Sequence, residues 1–321
     1  MDAELQNAWE RIQSKYKLTG QDPMSYLEGL IQGNYTKYWD YIQVDTLLSI
    51  QHPKTDYPDE LIFIMYHQIT ELYFKLVLHE LQQITHNGKN ISSDGHDLGW
   101  NAALDPEFFK MRIMRIVRYF ESLTQSFDIM VDGMEPQQFL KFRMALLPAS
   151  GFQSAQYRLI EMSCCPLIHL VSADQRLNLK DETSIETLLD HIYWNKGATE
   201  LESGKKTLTL KHFESQYRNH FISHAKAYAH KTVWHKFKEL NLNDQAHPGL
   251  KDALRQLDLQ VNVRWPLVHY KSAVRYLQRG SDSTQATGGT NWQKYLPPRF
   301  QKRIFFPDLW TFDEMERWGT F

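Results

Sequence analysis

The amino-acid sequence predicts an all-α fold, a helical bundle of long antiparallel helices. Three observations carry that reading. Apolar residues recur at helical spacing along most of the 321-residue chain. No strand-rich region, internal repeat, nucleophile elbow or Gly-rich phosphate fingerprint interrupts them. Residues 56–86, DYPDELIFIMYHQITELYFKLVLHELQQITH, are apolar on nearly every side from Leu61 onward. A helix of that kind is expected at the centre of a bundle, enclosed by others.

Each element follows from its local pattern. Residues 1–18 read as an amphipathic helix with Leu5, Trp9, Ile12 and Tyr16 on one stripe, and Gly20 to Pro23 as a break. A short helix over 24–33 ends at Gly33. Tyr38, Tyr41, Ile42, Asp45 and Leu48 then fall at helical spacing until Pro53. The central helix opens with Asp56 as a cap, Pro58 in the first turn, and Asp59 and Glu60 at the positive end of the dipole. Residues 87–104, rich in Asn, Gly, Ser and Asp, form a loop.

Asp105-Pro106 opens a helix running to about residue 130, with Phe109, Ile113, Ile116, Val117, Phe120, Leu123 and Phe127 on its apolar face. Glu135 and Pro136 open another, which Pro148 breaks; a further helix begins near Phe152. Residues 171–210 hold a short helix between polar stretches, 211–237 one helix, and 248–280 a long helix kinked near Pro266. The aromatic tail from Pro297 onward packs onto the body. The whole is expected to be one domain over 1–321.

Composition bounds the function. Hydrophobic residues make up 42% and aromatics 13% of the chain, enough for a large core or an aromatic-lined pocket. A formal charge of −2 leaves no basic field to attract nucleic acid or an anionic membrane. No run of about 18 apolar residues suggests a spanning helix, and MDAELQNAWERIQSKYK lacks a signal-peptide core. A cytoplasmic location is expected. Cys164 and Cys165, the only cysteines, cannot build a disulfide framework, which fits a reducing compartment.

The residues that carry chemistry lie in a few places. Phe63 and His67 are four apart and share a face of the central helix. A buried histidine beside an aromatic suits catalysis or cofactor binding; it also suits a core histidine satisfied by Glu71 or a backbone carbonyl. Phe139 and Arg143 repeat the spacing, and Arg143 reads either as a ligand for an anionic group or as a surface or ion-paired arginine. The turn Ala149-Ser150-Gly151 opens a helix and so could seat an anion. His269, Ala273 and Tyr276 share a face, and one histidine there suits haem iron with the sixth position open for a gas. His220 and His224 form a possible metal pair, without an indicated third ligand and without the H-E-x-x-H pattern. The stretch GSDSTQATGGTN, 280–291, reads as a loop that closes over a ligand or is simply mobile.

Taken together, four blocks resemble the tryptophan 2,3-dioxygenase family, in the family's order. They are YWDYIQVDTLLSIQ at 38–51, DELIFIMYHQITELYFKLVLHEL at 59–81, FLKFRMALLPASGFQSAQYR at 139–158, and HYKSAVRYLQRG with TGGT between 269 and 290. The similarity is diffuse over 171–250 and in the tail. The resemblance implies a haem pocket in the helical core, with non-covalent haem b. His269 matches the proximal ligand of the iron. His67 matches the distal histidine beside oxygen and the indole ring. Phe63 and Phe139 match aromatic positions around the substrate, and Arg143 the arginine that binds its carboxylate. Ser150 and Gly151 match the turn near haem and substrate, and Thr287 the threonine at the amino-acid end. Tyr38, Tyr41 and Ile42 match residues that complete the pocket from a neighbouring subunit, so that residues 1–50 contribute to the next protomer of a homotetramer.

The implied reaction opens the indole ring of L-tryptophan with O2 to give N-formylkynurenine, the first step of the kynurenine pathway. The chemistry of the matched residues suits it. A carboxylate wants a planar two-pronged guanidinium, and an indole wants an apolar slot with one polar group for its N–H. One departure from the family is a longer stretch before TGGT, SDSTQA, which lets Thr284 or Thr290 stand in for Thr287. Two other readings remain beside this one: a related haem oxygenase acting on another indole or aromatic amino acid, and a haem-binding sensor without turnover.

Overall fold

In the computed structural model of the chain, the described residues are 2–33, 37–85, 104–146, 153–198, 205–279, 282–283 and 297–320. They are all-α apart from a two-residue antiparallel ladder, β1 (Gln278–Arg279) with β2 (Asp282–Ser283), and a single bridge between Val171 and Ile192. Two compact units are present, Met1–Gln51 and His52–Phe321.

The first unit holds α1 (Ala3–Thr19), α2 (Pro23–Gln32), α3 (Tyr38–Tyr41) and α4 (Val44–Leu47). Asp2 and Asp22 cap the first two through side-chain oxygens, and Gly20 closes α1 in the left-handed conformation at φ 66°. The helical spacing across 38–48 is interrupted because Gln43 itself takes a left-handed φ of 53°. None of the four helices contains a buried residue. Tyr38 and Tyr41 are 73% and 79% exposed. Among its described helices the unit carries apolar side chains and none that is buried.

The second unit is built on α5 (Asp59–Thr85) and α6 (Pro106–Ser126), followed by α7 (Asp128–Asp132) and α8 (Pro136–Phe142). Next come α9 (Ala155–Cys164), α10 (Leu167–Leu170), α11 (Ile185–Asp190), α12 (Tyr193–Gly197), α13 (Leu208–Tyr228), α14 (Val233–Glu239) and α15 (Leu242–Gln245). The body ends with α16 (Leu250–Leu259), α17 (Trp265–Leu277), α18 (Pro298–Gln301) and α19 (Phe312–Glu316). Helix α5 packs along α6, α8 and α9, and α6 packs along α16. The stripe predicted on α6 is the buried one, from Phe109 to Leu123. Asp105 caps it, accepting from the Phe108 N–H at 2.7 Å, with Pro106 at the first position. Each such fully buried Phe, Leu or Ile contributes roughly 1.5–3 kcal/mol.

Three expectations need correction. Helix α5 is not enclosed on every side. It buries Tyr66, Phe74, Val77, Leu81 and Ile84, while Leu61, Met65, Ile69, Leu72 and Leu76 form an opposite stripe 40–48% exposed. By length and composition α5 would also cross a membrane, but its inner face carries Glu60, Thr70 and Glu80 in hydrogen bonds within the body. The single helix expected over 211–237 is two, α13 and α14, because Thr232 and His235 form a capping box that starts a new helix. The kink near Pro266 is a π-turn, Gln260–Arg264, placed before the proline. The tail does pack onto the body, burying Phe305, Phe306, Trp310 and Trp318.

The start of α5 sets the site. The Glu60 carboxylate is fully buried and folds the preceding segment onto itself, accepting from the N–H groups of Lys54 and Thr55 at 2.7 Å each. Asp59 accepts from the N–H of Glu135 at 2.6 Å, the residue that caps α8. Gln138 accepts from the Asp59 N–H at 3.3 Å. These bonds bring the first turns of α5 and α8 together, so that the faces carrying Phe63 and Phe139 meet.

Candidate active site

On α5 the rings of Phe63 and His67 stack at 4.0 Å between centroids. Phe63 also meets Phe142 at 5.7 Å and Phe139 at 6.3 Å, both from α8. Phe139 in turn packs on Tyr276 of α17 at 4.7 Å. One turn and more below Tyr276 on α17 lies His269, held between Phe127 and Trp265 at 4.4 Å from each. Phe63, His67, Phe139 and Tyr276 thus form one aromatic group, His269 sits in a second with Phe127 and Trp265, and both groups border the same hydrophobic core. Tyr276 pins α17 to the α7 region by donating to the carbonyls of Val131 at 3.0 Å and Met134 at 3.3 Å.

The two histidines are tied down in the same way. His67 Nδ1 lies 2.7 Å from the Phe63 carbonyl, and His269 Nδ1 lies 2.9 Å from the Trp265 carbonyl, each one turn back on its own helix. A carbonyl only accepts, so Nδ1 carries the proton of each neutral ring and Nε2 presents a lone pair. Both rings are partly buried. Burial pushes the His269 imidazolium down to about 4, against the bond to the Trp265 carbonyl and with the help of nearby His67. His67 is lowered as well, by burial first, while the Phe63 carbonyl and Glu71 act the other way. The alternative of a histidine satisfied by a backbone carbonyl is thus met at Nδ1, which leaves Nε2 for other work. Glu71 is held in turn by Gln156 of α9, whose Nε2 donates to its carboxylate at 2.8 Å and its carbonyl at 2.9 Å.

Arg143 begins a 3-10 turn, Arg143–Leu146, directly after α8. It is buried, 7% exposed, and burial lowers its pKa. It directly follows Phe142, the ring that packs on Phe63. The surface reading of Arg143 does not hold. Ser150, Gly151 and Thr287, with the substitutes Thr284 and Thr290, lie outside the described residues. Tyr38, Tyr41 and Ile42 belong to the N-terminal unit, all three exposed.

Sequence reasoning missed Phe142, Phe127 and Trp265 as walls of this interior, and gave Tyr276 no role beyond sharing a face with His269. The i+4 and i+7 spacings around His269 were the available signal for Ala273 and Tyr276; nothing in the sequence pairs Phe127 with His269. The His220–His224 pair does not stand as a metal site. His224 Nε2 sits 2.9 Å from the Ser163 hydroxyl and its ring stacks on Tyr228 at 4.2 Å. Among the described residues no cluster of three or more His, Cys, Asp or Glu could hold a metal ion.

Comparison with known proteins points to the same family as the sequence blocks. The family profile described as tryptophan 2,3-dioxygenase matches residues 28–183, which include Phe63, His67, Phe139 and Arg143. A protein named tryptophan 2,3-dioxygenase from Ruegeria sp. (strain TM1040) is 44% identical over 124 residues, 39% of each chain. One of the same name from Ruegeria pomeroyi is 40% identical over 124 residues, 39% of this chain and 40% of its own. The matches to these two thus span about two fifths of the relatives' length. A third, from Bacillus thuringiensis subsp. konkukian, is 30% identical over 285 residues, covering 85% of this chain and 90% of its own. With that relative aligned over nearly its whole length, the chain belongs to the tryptophan 2,3-dioxygenase family.

Proposed function

We propose that the protein is a haem-dependent dioxygenase that opens the indole ring of L-tryptophan with O2, giving N-formylkynurenine. The observation that carries this reading is the pair of neighbouring neutral imidazoles, each with a free-facing lone pair, bordering one hydrophobic core, with a buried guanidinium directly after the Phe142 ring. The tryptophan 2,3-dioxygenase family is haem-dependent, and the donor set here fits that group. His269 is kept neutral, and its Nδ1–H bond to the Trp265 carbonyl orients the ring and raises the basicity of Nε2 as a metal ligand. No Cys-x-x-C-H motif is present, so the haem is held without thioether bonds. When bound, ferrous haem supplies the activation of O2.

The chain's own residues do the rest. The indole lies against Phe63 and Phe139, which exclude water from it. His67 Nε2, an acceptor by its tautomer, takes the hydrogen bond of the indole N–H. Arg143 binds the substrate carboxylate with two parallel N–H donors; a desolvated guanidinium gains most from such a partner. By the family resemblance, Ser150 and Gly151 stand for the turn near haem and substrate, and Thr287 for the threonine at the amino-acid end. Tyr38, Tyr41 and Ile42 close the pocket from a neighbouring protomer of a homotetramer. Two features support that assembly: an N-terminal unit with no buried residue, and the apolar outer stripe of α5. A cytoplasmic location is supported by Cys164 and Cys165, both buried free thiols.

The test is anaerobic reconstitution with haem, reduction, and addition of L-tryptophan with isotopically labelled O2. A product carrying two labelled oxygen atoms is expected. Gain of one oxygen atom, or a normal haem spectrum without product from tryptophan, overturns the reading in favour of another indole substrate or a haem sensor.

A further inference from the structure

Helix α17, which carries His269, begins irregularly. Across the π-turn Gln260–Arg264 the Trp265 N–H reaches back five residues to the Gln260 carbonyl. In a regular helix that N–H would serve the Val261 carbonyl. The next residue in register is Pro266, which has no N–H to offer. The carbonyl of Val261, a fully buried residue, is therefore left without a donor from its own helix. A buried carbonyl without a donor is costly.

A side chain from α9 fills the gap. The buried Tyr157 hydroxyl donates to the Val261 carbonyl at 2.9 Å. Its oxygen accepts from Arg303 Nη1 at 3.3 Å, and Arg303 is paired with the fully buried Glu161. The ring of Tyr157 packs on Phe74 at 5.4 Å, and Phe74 meets Trp265 edge-on at 6.0 Å. Trp265 in turn touches the His269 ring at 4.4 Å and gives its carbonyl to His269 Nδ1. One hydroxyl thus holds the turn from which the His269 helix springs, and one aromatic column links it to the His269 ring.

We propose that Tyr157 is a positioning residue for His269: its bond to the Val261 carbonyl fixes the π-turn in place, and through Trp265 it fixes the direction in which His269 presents Nε2. The proposal deepens the haem reading and rests on it. Without the hydroxyl, the orphaned carbonyl is satisfied only if the π-turn migrates or opens to water. Either change alters the Trp265 carbonyl and loosens its bond to His269 Nδ1. A weaker bond there makes the imidazole a poorer donor to iron.

Tyr157→Phe keeps the ring and removes only the hydroxyl. Tyr193→Phe is its control, because the Tyr193 hydroxyl bonds to the same Glu161, Arg158 and Arg303 and not to the π-turn. Three readouts are compared. In the apo-protein, deuterium uptake by the 258–270 peptide is expected to rise in Tyr157→Phe and to stay at the wild-type level in Tyr193→Phe. In the haem-loaded ferrous protein, the iron–histidine stretching band is expected to move to lower frequency only in Tyr157→Phe. Haem transfer to an acceptor globin is expected to be about tenfold faster in that variant, the scale for losing an outer partner of a metal ligand. An unchanged exchange pattern and an unchanged band in Tyr157→Phe overturn the proposal, as does an equal change in both variants, which marks general loosening. A wild-type protein that takes up no haem overturns the haem reading instead, while the exchange comparison still decides whether Tyr157 holds the turn.

Discussion

The helices α5 and α17 hold their histidines by the same device and for different ends. Each ring donates Nδ1–H to the carbonyl one turn back, so each turns an Nε2 lone pair inward. Their electrostatic settings differ. His269 sits between Trp265 and Phe127, and nearby His67 further disfavours its charge. His67 sits beside Phe63 with Glu71 one turn on, a carboxylate that favours the protonated ring. A ring locked neutral suits a metal ligand, while a ring with a carboxylate nearby is suited to handling a proton or an N–H. The fold makes that difference without changing the local backbone device.

The largest test of the contrast is His269→Ala. Loss of the proposed iron ligand is expected to weaken haem binding by more than about 100-fold, above the range for outer-shell partners. It is read from the haem absorbance retained after gel filtration; full occupancy with an unaltered spectrum would remove His269 from the role. Arg143→Ala comes next. Removing one partner of a buried charge pair costs about 2–5 kcal/mol of tryptophan binding, read as a raised KM, with Arg143→Lys recovering only part because ammonium lacks the planar fork. A KM equal to wild type would place the carboxylate elsewhere.

Smaller effects probe how α5 is held and charged. Asp59→Ala leaves the Glu135 N–H at the head of α8 without its acceptor, at a cost of about 1–3 kcal/mol in stability. The register of Phe63 against Phe139 loosens with it. Thermal unfolding and KM are both expected to report the change; a shift in neither would mean the two helix starts are held by other contacts.

The pH dependence follows from the two lowered histidines. Their folded pKa values lie below the ordinary 6.5, about 4 for His269, so below pH 6.5 the unfolded chain binds more protons than the folded one. Stability of the apo-protein is therefore full above pH 6.5 and declines as the pH falls toward 4. The urea midpoint at pH 5 should lie below that at pH 7. Glu71→Gln removes the carboxylate that favours charged His67, so the acid limb of kcat/KM should move to lower pH. An upward move would mean that Glu71 does not act on His67.

Much of this was legible in the sequence where local chemistry decides the outcome. Asp105-Pro106 and Glu135-Pro136 announced α6 and α8, and the i,i+4 pair Phe63–His67 placed its side chains on a shared face. The break at Thr232 was hidden because apolar spacing continues through it while a capping box stops it. The outer face of α5 was hidden because apolar content alone cannot tell a helix enclosed by its own chain from one that leaves a stripe outside. The walls of the interior, Phe127, Phe142 and Trp265, came from elements far apart in the chain, and their meeting depends on bonds such as Asp59 to Glu135. No pattern within one segment reports such a contact.

The most direct measurement of the contrast is nitrogen NMR of the apo-protein at pH 7 with labelled histidine side chains, assigned through His67→Gln and His269→Gln. Both rings are expected as neutral Nδ1–H tautomers with unprotonated Nε2, and His269 should stay neutral until the pH nears 4. An Nε2–H tautomer or an imidazolium at either position at pH 7, or a His269 that protonates near 6.5, would contradict the account of the two helices.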